Sequence, residues 1–245
     1  MSEPLAELVK TTAPQVKKVA ILARNDLYPL AIANEFEKSV KARGMEVVQF
    51  EKYAIGTLDH ASALTQMRAA RPDWIIITGY INDMILVRKQ MADLALRAPV
   101  ISMLNGPAYQ EFIDATGPLS QGLTTGAWWH PAVKYESEDL FKSTAGYNQA
   151  FEAKFKSAPD YNAAAGSTVG VVLQLAIEKA GTIDHDKVRA ILADTKFATF
   201  FGPIKFNPTG EATSYTPPVL QVRDKKLVVI YPAEIKSGEF EIIKR

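Results

Sequence analysis

Short β-branched runs alternate with amphipathic stretches over the first half of the chain, and this alternation constrains the fold more than any other feature. The predicted strands are 18–23, 46–50, 73–79, 99–103 and 122–129. The predicted helices between them are 29–43, 60–70 and 82–96. Nearly continuous apolar strands are typical of parallel sheets that are covered on both faces. We therefore predict an α/β fold with a doubly wound parallel sheet.

The pattern changes after Trp129, where helical segments follow one another without an intervening strand. The predicted helices there are 137–155, 161–180 and 184–193, and short strands follow at 202–206, 218–222 and 226–231. A polar, hairpin-like turn at 223–225 joins the last two strands. The expected organisation is a lead-in helix at 1–16, an α/β core at 17–130, a helical segment at 131–195 and a C-terminal segment of short strands at 196–245.

Composition excludes several classes of protein. The 245 residues include 28 Lys and Arg against 27 Asp and Glu, so a net charge of +1 gives no reason to expect a nucleic-acid partner. The absence of cysteine excludes disulfides, thiolate nucleophiles and cysteine-ligated metals. The longest apolar runs, at 74–77 and 227–231, are far shorter than the roughly 20 residues of a membrane span, so we expect a soluble protein. Residues 1–4 do not resemble the start of a secretory signal, and we expect none within this sequence.

No catalytic or metal-binding residues are predicted. His60, His130 and His185 lack metal-ligand spacing, so solvated or capping roles are expected for them. Asp184 and Asp186 lie at the start of a predicted helix. Acidic side chains there interact favourably with the helix dipole, which is sufficient to explain them without a catalytic role. No nucleophile elbow, phosphate-binding loop or dinucleotide fingerprint occurs, so we predict no cofactor.

Candidate binding residues follow the predicted strands. Tyr28 follows the first strand, Tyr80 the third, Asn105 and Gly106 the fourth, and Trp129 ends the fifth. Ligands of open parallel sheets bind outside the carboxyl ends of the strands. Aromatic rings, an amide and a glycine at one edge suit a small molecule with an apolar body and a few polar groups. The alternative is that these residues serve only the geometry of the turns.

Seven groups of short motifs run along nearly the whole chain. They are KVAIL with NDLY (18–22, 25–28), ITGY (77–80), PVI with NG (99–101, 105–106), QG (121–122), YNAAA with AIEKAG (161–165, 176–181), FGPIKF (201–206) and NPTG (207–210). In this order they resemble the type I periplasmic solute-binding proteins of ABC importers, the group that includes the branched-chain amino-acid receptors.

The resemblance implies two α/β lobes joined by a hinge, which close on a small-molecule ligand in the periplasm and present it to an ABC permease. The first lobe of that family begins with a long stretch that has no counterpart here, which we interpret as a truncation. On this interpretation residues 17–130 are most of the second lobe, and 131–195 would pack on the first. Five apolar side chains then lack the sheet that would cover them, and we expect either self-association through them or a rearranged packing. They are Phe151, Phe155, Val171, Val172 and Leu175.

The resemblance also assigns the ligand contacts. Tyr28 and Tyr80 match two aromatic contacts of the family, and Asn105, with Gly106 beside it, stands where the amino-acid receptors place an acidic residue. A neutral amide cannot balance a desolvated ammonium group, so we predict that the ligand is a small organic acid, amide or aromatic compound rather than a standard α-amino acid. Trp129 would be a third aromatic contact, with packing at the hinge as its alternative role.

Two other classes of function stay open at this point. A ligand-sensing regulatory α/β domain would need an output segment, and none is visible in the sequence. An enzyme of flavodoxin-like fold would need a nucleophile, a base or a cofactor fingerprint, and none is found.

Overall fold

The computed structural model describes residues 1–242, and its contacts divide the chain into two compact units. One unit comprises Met1–Ala127 together with the C-terminal segment from Pro218. The other comprises Trp128–Pro217.

The first unit contains a mixed sheet covered by helices on both faces. Its helices are α1 (Ser2–Thr12), α2 (Leu27–Ala42), α3 (Ala61–Ala70), α4 (Ile81–Asp93) and α5 (Gln110–Thr116), followed by a 3-10 turn at Gly117–Ser120. Its strands are β1 (Lys18–Arg24), β2 (Glu46–Tyr53), β3 (Trp74–Thr78), β4 (Val100–Leu104), β5 (Thr124–Gly126), β8 (Val219–Arg223) and β9 (Lys226–Tyr231). The strand order is β2-β1-β3-β4-β5-β8-β9, in which the first five strands are parallel and the last two antiparallel.

Alternate residues of the central strands enter two separate cores. In β1, Val19 and Ile21 pack with residues of α1 and α2, whereas Ala20 and Leu22 pack with residues of α3, α4 and α5. All four side chains are fully buried. The sheet is thus wound on both faces, which confirms the predicted fold class.

The second unit contains three helices and a small hairpin. These are α6 (Thr144–Phe155), α7 (Tyr161–Ala180), α8 (His185–Asp194), β6 (Phe197–Thr199) and β7 (Gly202–Ile204). The C-terminal segment expected at 196–245 is divided, because β6 and β7 lie in this unit whereas β8 and β9 extend the sheet of the first unit.

Helix boundaries follow their capping groups. α2 begins two residues earlier than predicted because the Asp26 carboxylate accepts the N–H of Leu27 at 2.8 Å. α6 begins at Thr144 rather than at 137, since the Ser143 hydroxyl caps it by accepting the N–H of Gly146 at 3.1 Å. The prediction missed α5, which has only seven residues.

The apolar face expected to lack a partner is smaller than predicted. Val171 and Val172 of α7 are buried, because this helix packs against α8 and β6. Phe155 is exposed, and so are Val169 and Leu173 of α7. Self-association stays a prediction.

Candidate functional site

The carboxyl ends of three neighbouring strands form the candidate site. Ala23 in β1 pairs with Thr78 in β3, and Thr78 pairs with Leu104 in β4. The residues that follow these strands therefore leave the sheet side by side at one edge. The structure places four of the predicted site residues on the loops and helix starts at this edge: Tyr28, Tyr80, Asn105 and Gly106.

These four residues differ in solvent exposure and in backbone conformation. The Tyr80 side chain is 42% exposed at the N-cap of α4, whereas Tyr28, in the first turn of α2, is half-buried. Asn105 adopts a positive φ of 74°, a conformation that Asn tolerates better than most residues. Gly106 is buried, and a Cβ there would lie 2.8 Å from Met84 Sδ and 3.0 Å from Phe112 Cδ2, so a larger residue would require these two side chains to move.

A charged group at this edge was not predicted from the sequence. The Arg24 guanidinium at the end of β1 donates from Nη1 to Asp83 Oδ2 at 2.6 Å, and its Nε lies 3.4 Å from Asp26 Oδ2. The hydrogen bond to Asp83 raises the pKa of Arg24 further above its ordinary value. An arginine that ends an otherwise apolar strand is the signal that could have identified it.

Behind this edge lie two buried aromatic side chains. Tyr53, the last residue of β2, donates from its hydroxyl to the Thr78 carbonyl at 3.4 Å, and its ring stands edge-on to His60 with centroids 4.7 Å apart. The prediction of a solvated or capping role is wrong for His60, which is 2% exposed and makes no side-chain cap bond to α3. Burial lowers the pKa of His60 and raises that of Tyr53.

Gly79, the residue after β3, leaves room for the Tyr53 side chain at the end of this strand. A Cβ at this position would collide with the Tyr53 hydroxyl. The glycine therefore lets the tyrosine reach the end of β3 from β2, although β1 lies between these two strands in the sheet.

Trp129 lies in the second unit, within a cluster of aromatic side chains. It is 1% exposed and contacts the rings of Tyr147, Phe200 and Phe201. Such burial favours the packing role for Trp129, and ligand contact stays a prediction. Nearby, His130 Nδ1 accepts the N–H of Ala132 at 3.1 Å, and burial lowers its pKa to about 4.

Two kinds of feature are absent from residues 1–242. No group of three or more His, Cys, Asp or Glu side chains in this range could hold a metal ion. No helix within it is both long and apolar enough to cross a lipid bilayer.

Comparison with known proteins gives consistent matches along the chain. A family model described as "Periplasmic binding protein" matches residues 2–226. Leu/Ile/Val-binding protein homolog 8 of Brucella abortus is 26% identical over 227 residues, which are 89% of this chain and 55% of the relative. The chain spans about half the length of the curated relatives it matches.

Solved structures share the fold. A leucine binding protein from Thermotoga maritima superposes with a TM-score of 0.75 at 22% identity, over 92% of this chain and 62% of the other. A solute binding protein from R. palustris, crystallised with benzoate, has a TM-score of 0.72 at 20% identity, over 99% of this chain and 64% of the other.

Proposed function

The chain belongs to the periplasmic binding protein family, and on that premise we propose that it serves as the solute-binding receptor of an ABC importer. The observation that carries the proposal is the sheet edge with Tyr28, Tyr80, Asn105 and Gly106. It offers an exposed tyrosine ring, a second half-buried ring and a half-buried amide, which together suit a small organic solute.

The ligand that we propose is a small organic acid, amide or aromatic compound. Asn105 has no charge to balance an ammonium group, and the carboxylate of Asp83 is already paired with Arg24. Tyrosine rings at 28 and 80 offer apolar surface to the body of such a ligand. Benzoate, with which the R. palustris protein was crystallised, is a ligand of this class.

A branched-chain amino acid is the second candidate ligand. The name of the curated relative from Brucella abortus favours it. In this case the ammonium group would need a partner other than Asn105. The Asp26 carboxylate is the candidate that we propose, since its Oδ2 lies 3.4 Å from Arg24 Nε, a longer separation than the 2.6 Å between Asp83 and Arg24.

The mechanism that we propose is hinge closure. Ligand bound at this edge would favour the closed form over the open one, and the closed form would be presented to the permease in the periplasm. No chemical step is part of this mechanism, so we propose that the protein is not an enzyme.

Ligand titrations test the function. The chain is titrated with benzoate, benzamide and L-leucine, with calorimetry and saturation-transfer NMR as readouts. We expect saturable binding of benzoate or benzamide and a loss of about tenfold or more in affinity in Tyr80→Ala. The matched control is Tyr161→Ala, which removes a half-buried tyrosine from the second unit and should leave the affinity unchanged.

The alternatives give different results. Saturable binding of L-leucine alone would favour the second candidate ligand. Binding of none of the three, or equal losses in both variants, would contradict the proposed site.

A further inference from the structure

Arg24 holds a position at the sheet edge that the proposed binding function does not by itself explain. It is the last residue of β1, its side chain is only 18% exposed, and its nearest charged partner is Asp83 at 2.6 Å. A partly buried arginine is stabilised by partners that match the geometry of its guanidinium group.

Asp83 connects Arg24 to the backbone of Tyr80. The same carboxylate oxygen that accepts from Arg24, Oδ2, also accepts the N–H of Tyr80 at 3.2 Å. The ion pair thus fixes the start of α4, where Tyr80 is the N-cap residue.

Arg24 also contacts the Tyr80 ring directly. Its guanidinium carbon lies 4.9 Å from the ring centroid, within the range of a cation–π interaction. Among residues 1–242 this is the one cation–π or ring–ring contact that Tyr80 makes. Since the side chain is 42% exposed, neighbouring side chains do not enclose the ring on all sides.

We propose that Arg24 is a positioning residue for Tyr80, and that its charge makes the exposed surface of this ring a platform for ligand groups without positive charge. The inference rests on the proposed function. A guanidinium on one face of an aromatic ring draws electron density toward itself, so a second cation on the opposite face is disfavoured and an electron-rich group is favoured. Arg24 would therefore act on ligand choice through Tyr80 without contacting the ligand.

The first test needs no ligand. Tyrosines are labelled with 3-fluorotyrosine, the Tyr80 signal is assigned with Tyr80→Phe, and its ¹⁹F shift and line width are compared in Arg24→Lys, Arg24→Met and Arg223→Lys. Arg223 is the matched control, since its side chain is 19% exposed and pairs with Glu241 at 2.9 Å in the same unit. We expect both Arg24 variants to shift and sharpen the Tyr80 signal, because the ring gains motion, and Arg223→Lys to leave it unchanged.

An unchanged Tyr80 signal in both Arg24 variants would overturn the positioning role. Cooperative thermal unfolding is recorded for each variant, and Arg24→Lys, which keeps the charge, provides the folded comparison where Arg24→Met is too unstable.

The second test compares two probes of similar shape, benzoate and benzylamine, by calorimetry. The native chain should prefer benzoate, and the ratio of the two affinities should fall by about threefold to tenfold in Arg24→Met. In Arg223→Lys the ratio should stay the same. A ratio unaffected by Arg24→Met would overturn the charge effect.

The two proposals can fail separately. If the native chain binds neither probe, the proposed function fails, whereas the ¹⁹F experiment still decides whether Arg24 positions Tyr80.

Discussion

At the scale of single residues, the histidines make stability depend on pH. Burial lowers the pKa of both His60 and His130, in the latter case to about 4, so the folded protein favours the neutral rings. In the unfolded chain histidine titrates near a pKa of about 6.5. The unfolded state therefore binds more protons at mildly acidic pH. The contribution of these histidines to stability is complete above about pH 6.5 and is lost as the pH falls toward 4.

His130→Asn should reduce this dependence. The asparagine oxygen can accept the Ala132 N–H in place of Nδ1 but does not titrate. We expect the free energy of unfolding of the native protein to fall by up to about 1.4 kcal/mol per pH unit and per histidine below pH 6.5, and the variant to show a shallower slope. Urea unfolding at several pH values measures it. His185→Asn, at an exposed position, is the control, and identical slopes in all three proteins would contradict the assignment.

Gly106 gives a second prediction at this scale. In Gly106→Ala the new methyl group would meet Met84 Sδ at 2.8 Å and Phe112 Cδ2 at 3.0 Å. We expect a loss of about 1 to 3 kcal/mol in unfolding free energy from overpacking. Gly166→Ala is the matched control, because its Cβ would have open space within α7, and it should be neutral or stabilising by about 0.5 to 1 kcal/mol. Equal effects of the two substitutions in thermal unfolding would contradict this packing argument.

The site residues show which parts of the candidate site could be predicted from the sequence. Tyr28, Tyr80, Asn105 and Gly106 follow strands, so chain order alone brings them to one edge. Chain order also brings Arg24, the last residue of β1, to this edge, but its pairing with Asp83, 59 positions along the chain, could not be predicted from the sequence. Whether these residues contact a ligand stays a prediction.

At the scale of elements, a single buried carboxylate explains why one helix was predicted too long. Asp139 is almost fully buried, and its oxygens accept from the Ser137 hydroxyl and from the N–H groups of Phe141 and Phe200 at 2.8 to 3.0 Å. These bonds hold residues 137–142 in a loop against β6. Periodicity cannot detect such competition, whereas it predicted the 20-residue α7 correctly.

Removing this carboxylate should destabilise the second unit. In Asp139→Ala three donors lose their acceptor, so we expect a loss of about 3 kcal/mol or more in unfolding free energy, measured by urea denaturation. Asp186→Ala, which removes an exposed carboxylate from α8, should change it by less than about 0.5 kcal/mol. A small effect of Asp139→Ala would mean that water replaces the carboxylate as the acceptor.

At the scale of the whole molecule, the second unit is an insertion between two paired strands. Gly126 in β5 pairs with Val219 in β8, and the Ala127 N–H donates to the Pro218 carbonyl at 3.1 Å. The chain thus leaves the first unit and re-enters it at adjacent positions. The pairing of β5 with β8 could not be predicted from sequence patterns, since the pattern of a short strand does not specify which distant strand it pairs with.

The first unit should therefore fold without the insertion. A variant in which Asn-Gly replaces residues 128–217 would join β5 and β8 through a tight hairpin turn. We expect dispersed amide signals in NMR and one cooperative thermal transition. A collapsed spectrum without dispersion would contradict the division into two units.

The antiparallel end of the sheet also bears on protein synthesis. β1 to β5 are complete once residue 126 has been made, but β8 begins only at residue 219. At ordinary elongation rates the ribosome needs on the order of ten seconds for the segment between them. During that time β5 is an open edge on the nascent chain, and its length of three residues limits the surface that it offers to a neighbouring polypeptide on the same polysome.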